Sequence, residues 1–215
     1  LELKLLADVG LAGFPNVGKS TILSVTTGAK PEIADYHFTT LKPNLGIVFN
    51  NGERSFCLAD IPGLIEGASE GQGLGHEFLR HIERTRLLIH VIDISGREGR
   101  EPFEDFLLIN KELEQYNIDL AKRPQIIALN KMDGENATDN AEIFKEKFDE
   151  WLEARGDEII AERENGAWRI FELSAITAQG TRELMAYCGS ILDKMPAGSV
   201  FVAEDTETVY SLEDE

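Results

Sequence analysis

Apolar and polar positions divide most of the chain into alternating strands and helices. Apolar runs of a length typical of buried strands lie at Leu5–Ala12, Leu45–Phe49, Arg54–Ala59, Leu87–Ile92, Gln125–Leu129 and Trp168–Leu173. Between several of these runs, apolar residues recur at the spacing of amphipathic helices. The first predicted helix begins at Ser20, and two more cover His76–Thr85 and Pro102–Tyr116. A fourth helix includes Phe144, Phe148, Trp151 and Leu152, and the last carries Leu184, Cys188, Ile191 and Leu192 on one face. This alternation is typical of an α/β fold with helices on both faces of a mostly parallel sheet.

One of the predicted strands should run antiparallel to the others. Asn50-Asn51-Gly52-Glu53 separates the second and third apolar runs. Asn-Gly between two apolar runs is a strong hairpin signal. We therefore expect a six-stranded, doubly wound sheet with one antiparallel strand, because right-handed crossovers limit how the remaining strands connect.

The segment after the first predicted strand combines two glycines with a lysine and a serine. It is Gly13-Phe14-Pro15-Asn16-Val17-Gly18-Lys19-Ser20. Glycines let the backbone turn sharply and approach an anion, and the amides between them form a nest of partial positive charge. Lys19 can reach the β- and γ-phosphates of a nucleotide, and Ser20 can bind a phosphate-bound Mg²⁺. The strand before it and the helix after it favour a P-loop over a chance glycine-rich turn.

Two further stretches lie where a P-loop protein would close on a γ-phosphate. Asp60-Ile61-Pro62-Gly63 ends the third predicted strand, so Asp60 can hold water of the Mg²⁺ shell and the Gly63 amide can approach the phosphate. Phe38-Thr39-Thr40 lies between the first helix and the second strand. A Thr40 hydroxyl can complete the Mg²⁺ shell while the γ-phosphate holds this loop in place.

The ends of the last two predicted strands indicate which base is bound. Asn130-Lys131-Met132-Asp133 follows one of them, and Ser174-Ala175-Ile176 follows the other. A carboxylate at Asp133 can accept hydrogen bonds from the ring N–H and the exocyclic amine of guanine, which adenine does not offer. Such a site rejects the unpaired analogue by roughly 10⁴-fold. Each stretch alone fits an ordinary polar loop, but their order in the chain predicts a guanine nucleotide.

Composition limits the possible partners and compartments. The 215 residues are enough for one domain with a real core, and no apolar run is long enough to span a membrane. A net charge of −18 argues against a basic nucleic-acid-binding face. Cys57 and Cys188 lack metal-ligand spacing and fit a reduced cytoplasmic compartment. Ala197–Glu215 holds six acidic residues and neither Lys nor Arg, which predicts a linker or tail over 196–215 beyond a domain over 1–195.

These motifs resemble the five motifs of the Ras-like, translation-factor-related GTPases, and longer stretches resemble the Obg family. The resemblance rests on Gly13-Phe14-Pro15-Asn16-Val17-Gly18-Lys19-Ser20-Thr21, Ala34-Asp35-Tyr36-His37-Phe38-Thr39-Thr40-Leu41, Pro43-Asn44-Leu45-Gly46, Asp60-Ile61-Pro62-Gly63-Leu64-Ile65-Glu66-Gly67-Ala68 and Gly73–Thr85. It covers about Leu3 to Met195 and is weakest over Gly134–Ala167.

The resemblance implies a Ras-like G domain in a cytoplasmic bacterial GTPase that acts in large ribosomal subunit assembly and in growth and stress control. It implies nucleotide contacts at Gly13–Ser20, Phe38-Thr39-Thr40-Leu41-Lys42, Asp60–Gly63, Asn130–Asp133 and Ser174–Ile176, with Mg²⁺ on Ser20 and Thr40. It also implies a Gly-rich N-terminal domain and often a C-terminal one, both absent from this sequence. We expect a monomer that meets the ribosomal subunit through those domains.

One position departs from the Ras pattern. Leu64 stands where Ras-type switches place a water-orienting Gln, and an apolar side chain cannot orient water, so intrinsic hydrolysis should be slow. In related GTPases an Asn at the position of Asn16 helps to hold K⁺ near the phosphates. Here Asn16 either supplies positive charge through K⁺ or only braces the loop.

The sequence thus favours a Mg²⁺-dependent GTP hydrolase that acts as a conformational switch. Lys19, Thr40, Gly63 and Asn16 are the expected catalytic residues, and no general base can be assigned. One alternative is a sensor of GDP, GTP or an alarmone such as guanosine tetraphosphate that scarcely hydrolyses. A small-molecule phosphotransferase is the other, and it should bind adenine.

Overall fold

The structure is a computed structural model and describes residues 7–28, 32–33, 43–49, 55–60, 85–97, 99–116, 123–155 and 168–195. The strands in these ranges are β1 Val9–Ala12, β2 Glu32–Ile33, β3 Asn44–Val48, β4 Phe56–Asp60, β5 Leu87–Asp93, β6 Gln125–Asn130 and β7 Ile170–Glu172. The helices are α1 Lys19–Thr26, α2 Pro102–Tyr116, α3 Ala137–Arg155 and α4 Thr181–Lys194.

All of these strands belong to one sheet in the order β2-β3-β4-β1-β5-β6-β7. β1 pairs in parallel with β4 on one side and β5 on the other, and β5, β6 and β7 continue the parallel arrangement. β3 is antiparallel to both of its neighbours, β2 and β4. The prediction of a mostly parallel sheet with one antiparallel strand is confirmed, and the short β2 adds an edge strand to the six predicted ones.

Helices cover both faces of the sheet. Successive residues of β6 point to opposite faces, as in any strand. Ile126 and Ala128 belong to an apolar cluster with residues of α1 and α4, whereas Ile127 and Leu129 belong to a second cluster with residues of α2 and α3. The sheet is therefore buried between two helix pairs, and the carboxyl ends of its parallel strands are left to carry chemistry.

Several sequence predictions lie partly or wholly beyond the described part of the chain. These are most of the helix predicted over His76–Thr85, the turn at Asn50–Glu53, and the tail over 196–215. The α2 bounds agree with the predicted helix. No helix within the described residues has the length and apolar character needed to cross a membrane.

Candidate functional site

The predicted motifs that the structure describes meet at the carboxyl ends of the parallel strands. The P-loop joins β1 to α1, Asp60 is the last residue of β4, and Asn130 is the last residue of β6. Doubly wound sheets bind their ligands at this edge.

Two glycines allow the P-loop to take its path. Gly13 has φ +157, and a Cβ there would lie 2.4 Å from the Val91 carbonyl oxygen. Gly18 is in the left-handed region, with φ +102, and a Cβ there would lie 2.2 Å from the Asn130 Nδ2 atom. Since neither neighbour can move without breaking the sheet or the site, glycine is required at both positions.

Lys19 folds back over the loop that precedes it. Its Nζ donates hydrogen bonds of 2.9 Å to the carbonyl oxygens of Gly13 and Phe14. Burial lowers the pKa of Lys19, and the negative charge of Asp60 opposes that shift. The ammonium group is thus held at the mouth of the loop, where it can meet phosphate oxygens.

Ser20 and Asp60 form a pair that suits a hard cation. Ser20 Oγ donates a hydrogen bond to Asp60 Oδ2, while Asp60 Oδ1 is buried and has no hydrogen-bond partner among the described residues. A buried carboxylate oxygen without a partner is costly unless a ligand completes it. Hydroxyl and carboxylate oxygens are the donors that Mg²⁺ prefers, so these residues fit the metal.

The described residues contain no group of three or more His, Cys, Asp or Glu side chains arranged as a metal site.

Asn130 joins the P-loop to the loops that follow β6 and β7. Its Nδ2 donates to the Val17 carbonyl oxygen at 2.7 Å, and its Oδ1 accepts from the Ala175 amide at 2.9 Å. All three residues are buried. The phosphate and base ends of the site are therefore fixed relative to each other by one side chain.

Asp133 has the charge and exposure expected of a base-reading carboxylate. Ser174 Oγ donates to Asp133 Oδ1 at 2.6 Å, and this hydrogen bond lowers the pKa of Asp133. The carboxylate is exposed, so one of its edges remains open to a ligand. Ile176, two residues after Ser174 in the chain, is 76% exposed.

The remaining predicted site residues fall into three groups. Phe14, Val17 and Ala175 are buried in the first apolar cluster, and Met132 packs against the second, so the structure gives their side chains a packing role. Pro15, Asn16 and Thr21 lie at the P-loop and the start of α1. The predicted residues Phe38, Thr39, Thr40, Leu41, Lys42, Ile61, Pro62 and Gly63 lie outside the described residues.

Two residues at the site were missed by the sequence reasoning. Asp93, the last residue of β5, accepts a 2.5 Å hydrogen bond from Lys131 Nζ and caps the following turn through Ser95. Its place at the carboxyl end of a parallel strand was the available signal. Arg100 contacts the P-loop from the segment before α2, and no local pattern points to that long-range contact.

Comparison with known proteins agrees with this geometry. Residues 8–131, more than half of the chain, match the family model described as 50S ribosome-binding GTPase. The chain is 55% identical to the protein named GTPase Obg from Bacillus licheniformis over 218 aligned residues, and 52% identical to GTPase Obg from Bacillus cereus strain Q1. These alignments cover 100% of this chain and 47% of each relative, so the chain spans about half the length of the curated relatives it matches.

Solved structures with less than a quarter of residues identical share the fold. A putative nucleolar GTP-binding protein 1 from Plasmodium falciparum aligns with a TM-score of 0.60 and 19% identity, covering 86% of each chain. The G domain of the FeoB iron transporter from T. maritima aligns with a TM-score of 0.54 and 22% identity, covering 85% of this chain and 96% of that one.

Proposed function

Because the chain belongs to the family of 50S ribosome-binding GTPases and is a G domain of the Obg type, we propose that it binds GTP with Mg²⁺ and hydrolyses it to GDP and phosphate. The observation that carries this proposal is the double hydrogen bond of Asn130, which holds the phosphate loop against the base-reading loops. The triphosphate of a guanine nucleotide would lie in the P-loop and its base beside the loops that follow β6 and β7, which are the two places that Asn130 connects.

Each described residue has a distinct task in this proposal. The P-loop amides bind the β-phosphate, and Lys19 neutralises charge that develops as the bond between the β-phosphate bridge oxygen and the γ-phosphorus breaks. Asp133 accepts the two guanine hydrogen bonds, and Ser174 holds its carboxylate ionised and in place. The attacking oxygen comes from water, which leaves phosphate and GDP as products.

Ser20 and Asp60 would hold the Mg²⁺, Ser20 directly and Asp60 through a bound water. The ion would supply positive charge that offsets the negative charge of the triphosphate. Without the ion, the negative charge of Asp60 would repel the phosphates. Ser20→Ala removes a proposed Mg²⁺ ligand, so this variant should bind GTP more weakly in the presence of Mg²⁺. Thr40 is the proposed second protein ligand, and it joins Gly63 in closing on the γ-phosphate, which makes the domain a switch.

Asn16 is the proposed residue for monovalent-cation dependence. It lies in the P-loop with φ +61, and its exposed side chain could place a carboxamide oxygen beside the phosphates. We expect turnover to be faster in K⁺ than in Na⁺, and Asn16→Ala to remove the difference. Equal rates in both salts for the unaltered protein would show that Asn16 only braces the loop.

Single-turnover hydrolysis of GTP is the experiment that tests the proposed activity. The expected result is slow release of phosphate that requires Mg²⁺ and that large ribosomal subunit particles accelerate. No release under any of these conditions would contradict hydrolysis and favour a nucleotide sensor instead. The ribosome-binding GTPases of the matching family support the ribosomal subunit as the proposed partner. The two separated thiols, Cys57 and buried Cys188, support a cytoplasmic location.

A further inference from the structure

Arg100 contacts both the P-loop and the start of α2. Its guanidinium carbon lies 4.6 Å from the centre of the Phe14 ring, which is buried. Its Nη2 donates to the Pro15 carbonyl oxygen at 3.4 Å, and its Nε donates to Asp105 Oδ2 at 3.1 Å. Arg100 therefore joins the first turn of α2 to the middle of the P-loop.

The contact with the Pro15 carbonyl has a consequence for the next amide. In a trans peptide the C=O and the following N–H point in opposite directions, and the described residues contain no cis peptide. Arg100 approaches the Pro15 oxygen from the α2 side of the loop, so the Asn16 N–H is turned away from Arg100. We therefore expect this N–H to point towards the concave side of the loop, where a phosphate would lie.

The conformation of Asn16 needs such a support. Its φ of +61 is uncommon for a residue with a Cβ, although Asn tolerates it better than most. A conformation of this kind persists only where the surroundings hold it. Lys19 holds the carbonyl oxygens of Gly13 and Phe14, and Asn130 holds that of Val17. Within the described ranges, Arg100 contacts the peptide between Pro15 and Asn16.

We propose that Arg100 is a positioning residue of the P-loop, which aims the Asn16 amide at the nucleotide phosphates. This inference rests on the proposed function, because it requires a phosphate in the loop. The planar guanidinium of Arg100 is suited to the task, since it donates to Asp105 and Pro15 at once while its face stacks on Phe14. Asp105, at the first turn of α2, fixes the direction of that group.

Arg155 offers a matched control. It pairs with Glu114 and its guanidinium carbon lies 4.6 Å from the centre of the Trp151 ring, so it has the same two kinds of contact as Arg100. It lies at the end of α3 and takes no part in the P-loop. A loss of hydrolysis common to Arg100→Ala and Arg155→Ala would reflect lost packing alone.

The test follows the Asn16 amide resonance in ¹⁵N-labelled full chain as GDP and Mg²⁺ are added. We expect a downfield shift in the unaltered protein and in Arg155→Ala, and a shift at least halved in Arg100→Ala. Hydrolysis at saturating GTP should fall about tenfold in Arg100→Ala, less than the loss on deleting a donor outright, and stay within about twofold in Arg155→Ala. Arg100→Met, which keeps the side-chain length without a donor, serves if the alanine variant does not fold.

An Asn16 shift in Arg100→Ala equal to that in Arg155→Ala would overturn the positioning role. An unaltered protein that shows no GDP-dependent shift of any P-loop amide would overturn the proposed nucleotide binding itself. The two failures are distinct, because the first is judged only against a protein that binds GDP.

Discussion

His90 lies in the middle of β5 with its imidazole ring enclosed by apolar side chains. The ring stacks on Phe106 with centroids 5.3 Å apart, and neither ring nitrogen has a hydrogen-bond partner among the described residues. Burial lowers the pKa of His90 to about 3. The folded protein therefore keeps this ring neutral at every pH where the domain is expected to work.

This buried ring should make stability depend on pH. The unfolded chain takes up a proton at His90 near pH 6.5, which the folded chain does not do until about pH 3. Stability is thus complete above pH 6.5 and falls as the pH drops between these values. We expect His90→Leu to gain about 2 kcal/mol relative to the unaltered protein between pH 7 and pH 5, measured by urea unfolding. A constant difference between the two proteins across this range would contradict the assignment.

Asn130 and Asn110 allow the role of a single amide side chain to be tested. Both are buried, and each donates one hydrogen bond to a backbone carbonyl and accepts another. Only Asn130 touches the P-loop. Replacing either by Ala should cost about 2–3 kcal/mol of stability, because buried partners are left unsatisfied. Asn130→Ala should also weaken GDP binding at least tenfold, whereas Asn110→Ala should leave it unchanged. Calorimetric titration measures the affinity of both variants for GDP. Equal losses of affinity would contradict the role of Asn130 in holding the P-loop against the base-reading loops.

Aromatic rings dominate the packing between α2 and α3. Phe106 on α2 lies within 6.3 Å, centroid to centroid, of the rings of Phe103, Phe144, Phe148, Trp151, Trp168 and His90. Most of these contacts are edge-to-face, the arrangement that the ring quadrupole favours. The α2 position, and with it Asp105 and Arg100, depends on this cluster.

Phe106→Ala should therefore be among the most destabilising single changes in the chain. The expected loss is about 4 kcal/mol, from lost burial and the cavity left behind. Phe49→Ala is the control, since Phe49 is 66% exposed and its loss should cost less than about 1 kcal/mol. Thermal or denaturant unfolding would compare them, and a similar cost for both would mean that the cluster is not the core of this helix pair.

Element boundaries show what sequence patterns can and cannot give. The helix over Pro102–Tyr116 agrees with the structure because an initial proline and a helical period both mark it. The strand predicted from Trp168 begins at Ile170, because Trp168 has φ +61 and cannot lie in a strand. β2 was missed because two residues carry no period. At the site, motif residues were predictable from their spacing, and Asp93 could have been predicted from its place at the end of β5. The contact of Arg100 with the P-loop joins residues distant in sequence, which no local pattern shows.

The net charge of the whole molecule is −18, with a pI of about 4.6. Phosphate backbones bind proteins through clustered Lys and Arg, which this composition disfavours. The proposed contact with the ribosomal subunit should therefore not depend on a strong nucleic-acid affinity of this chain.

We expect this chain to bind naked ribosomal RNA with a Kd weaker than about 10⁻⁴ M near 0.15 M salt, as judged by fluorescence anisotropy. Binding in the micromolar range that weakens steeply as salt rises would instead reveal a local basic surface. The same titration on a homologous full-length GTPase would show whether other parts of such proteins carry the affinity.

In the proposed site, one carboxylate selects guanine while the P-loop holds the phosphates. Calorimetry with GDP, ADP and XDP in Mg²⁺, on the unaltered protein and on Asp133→Asn, is the decisive experiment. We predict that the unaltered protein prefers GDP to ADP by roughly 10⁴-fold, and that Asp133→Asn loses GDP affinity and gains XDP affinity, because an amide can donate to the xanthine oxygen. Comparable affinities for GDP and ADP, or an Asp133→Asn variant with unchanged preference, would contradict the account.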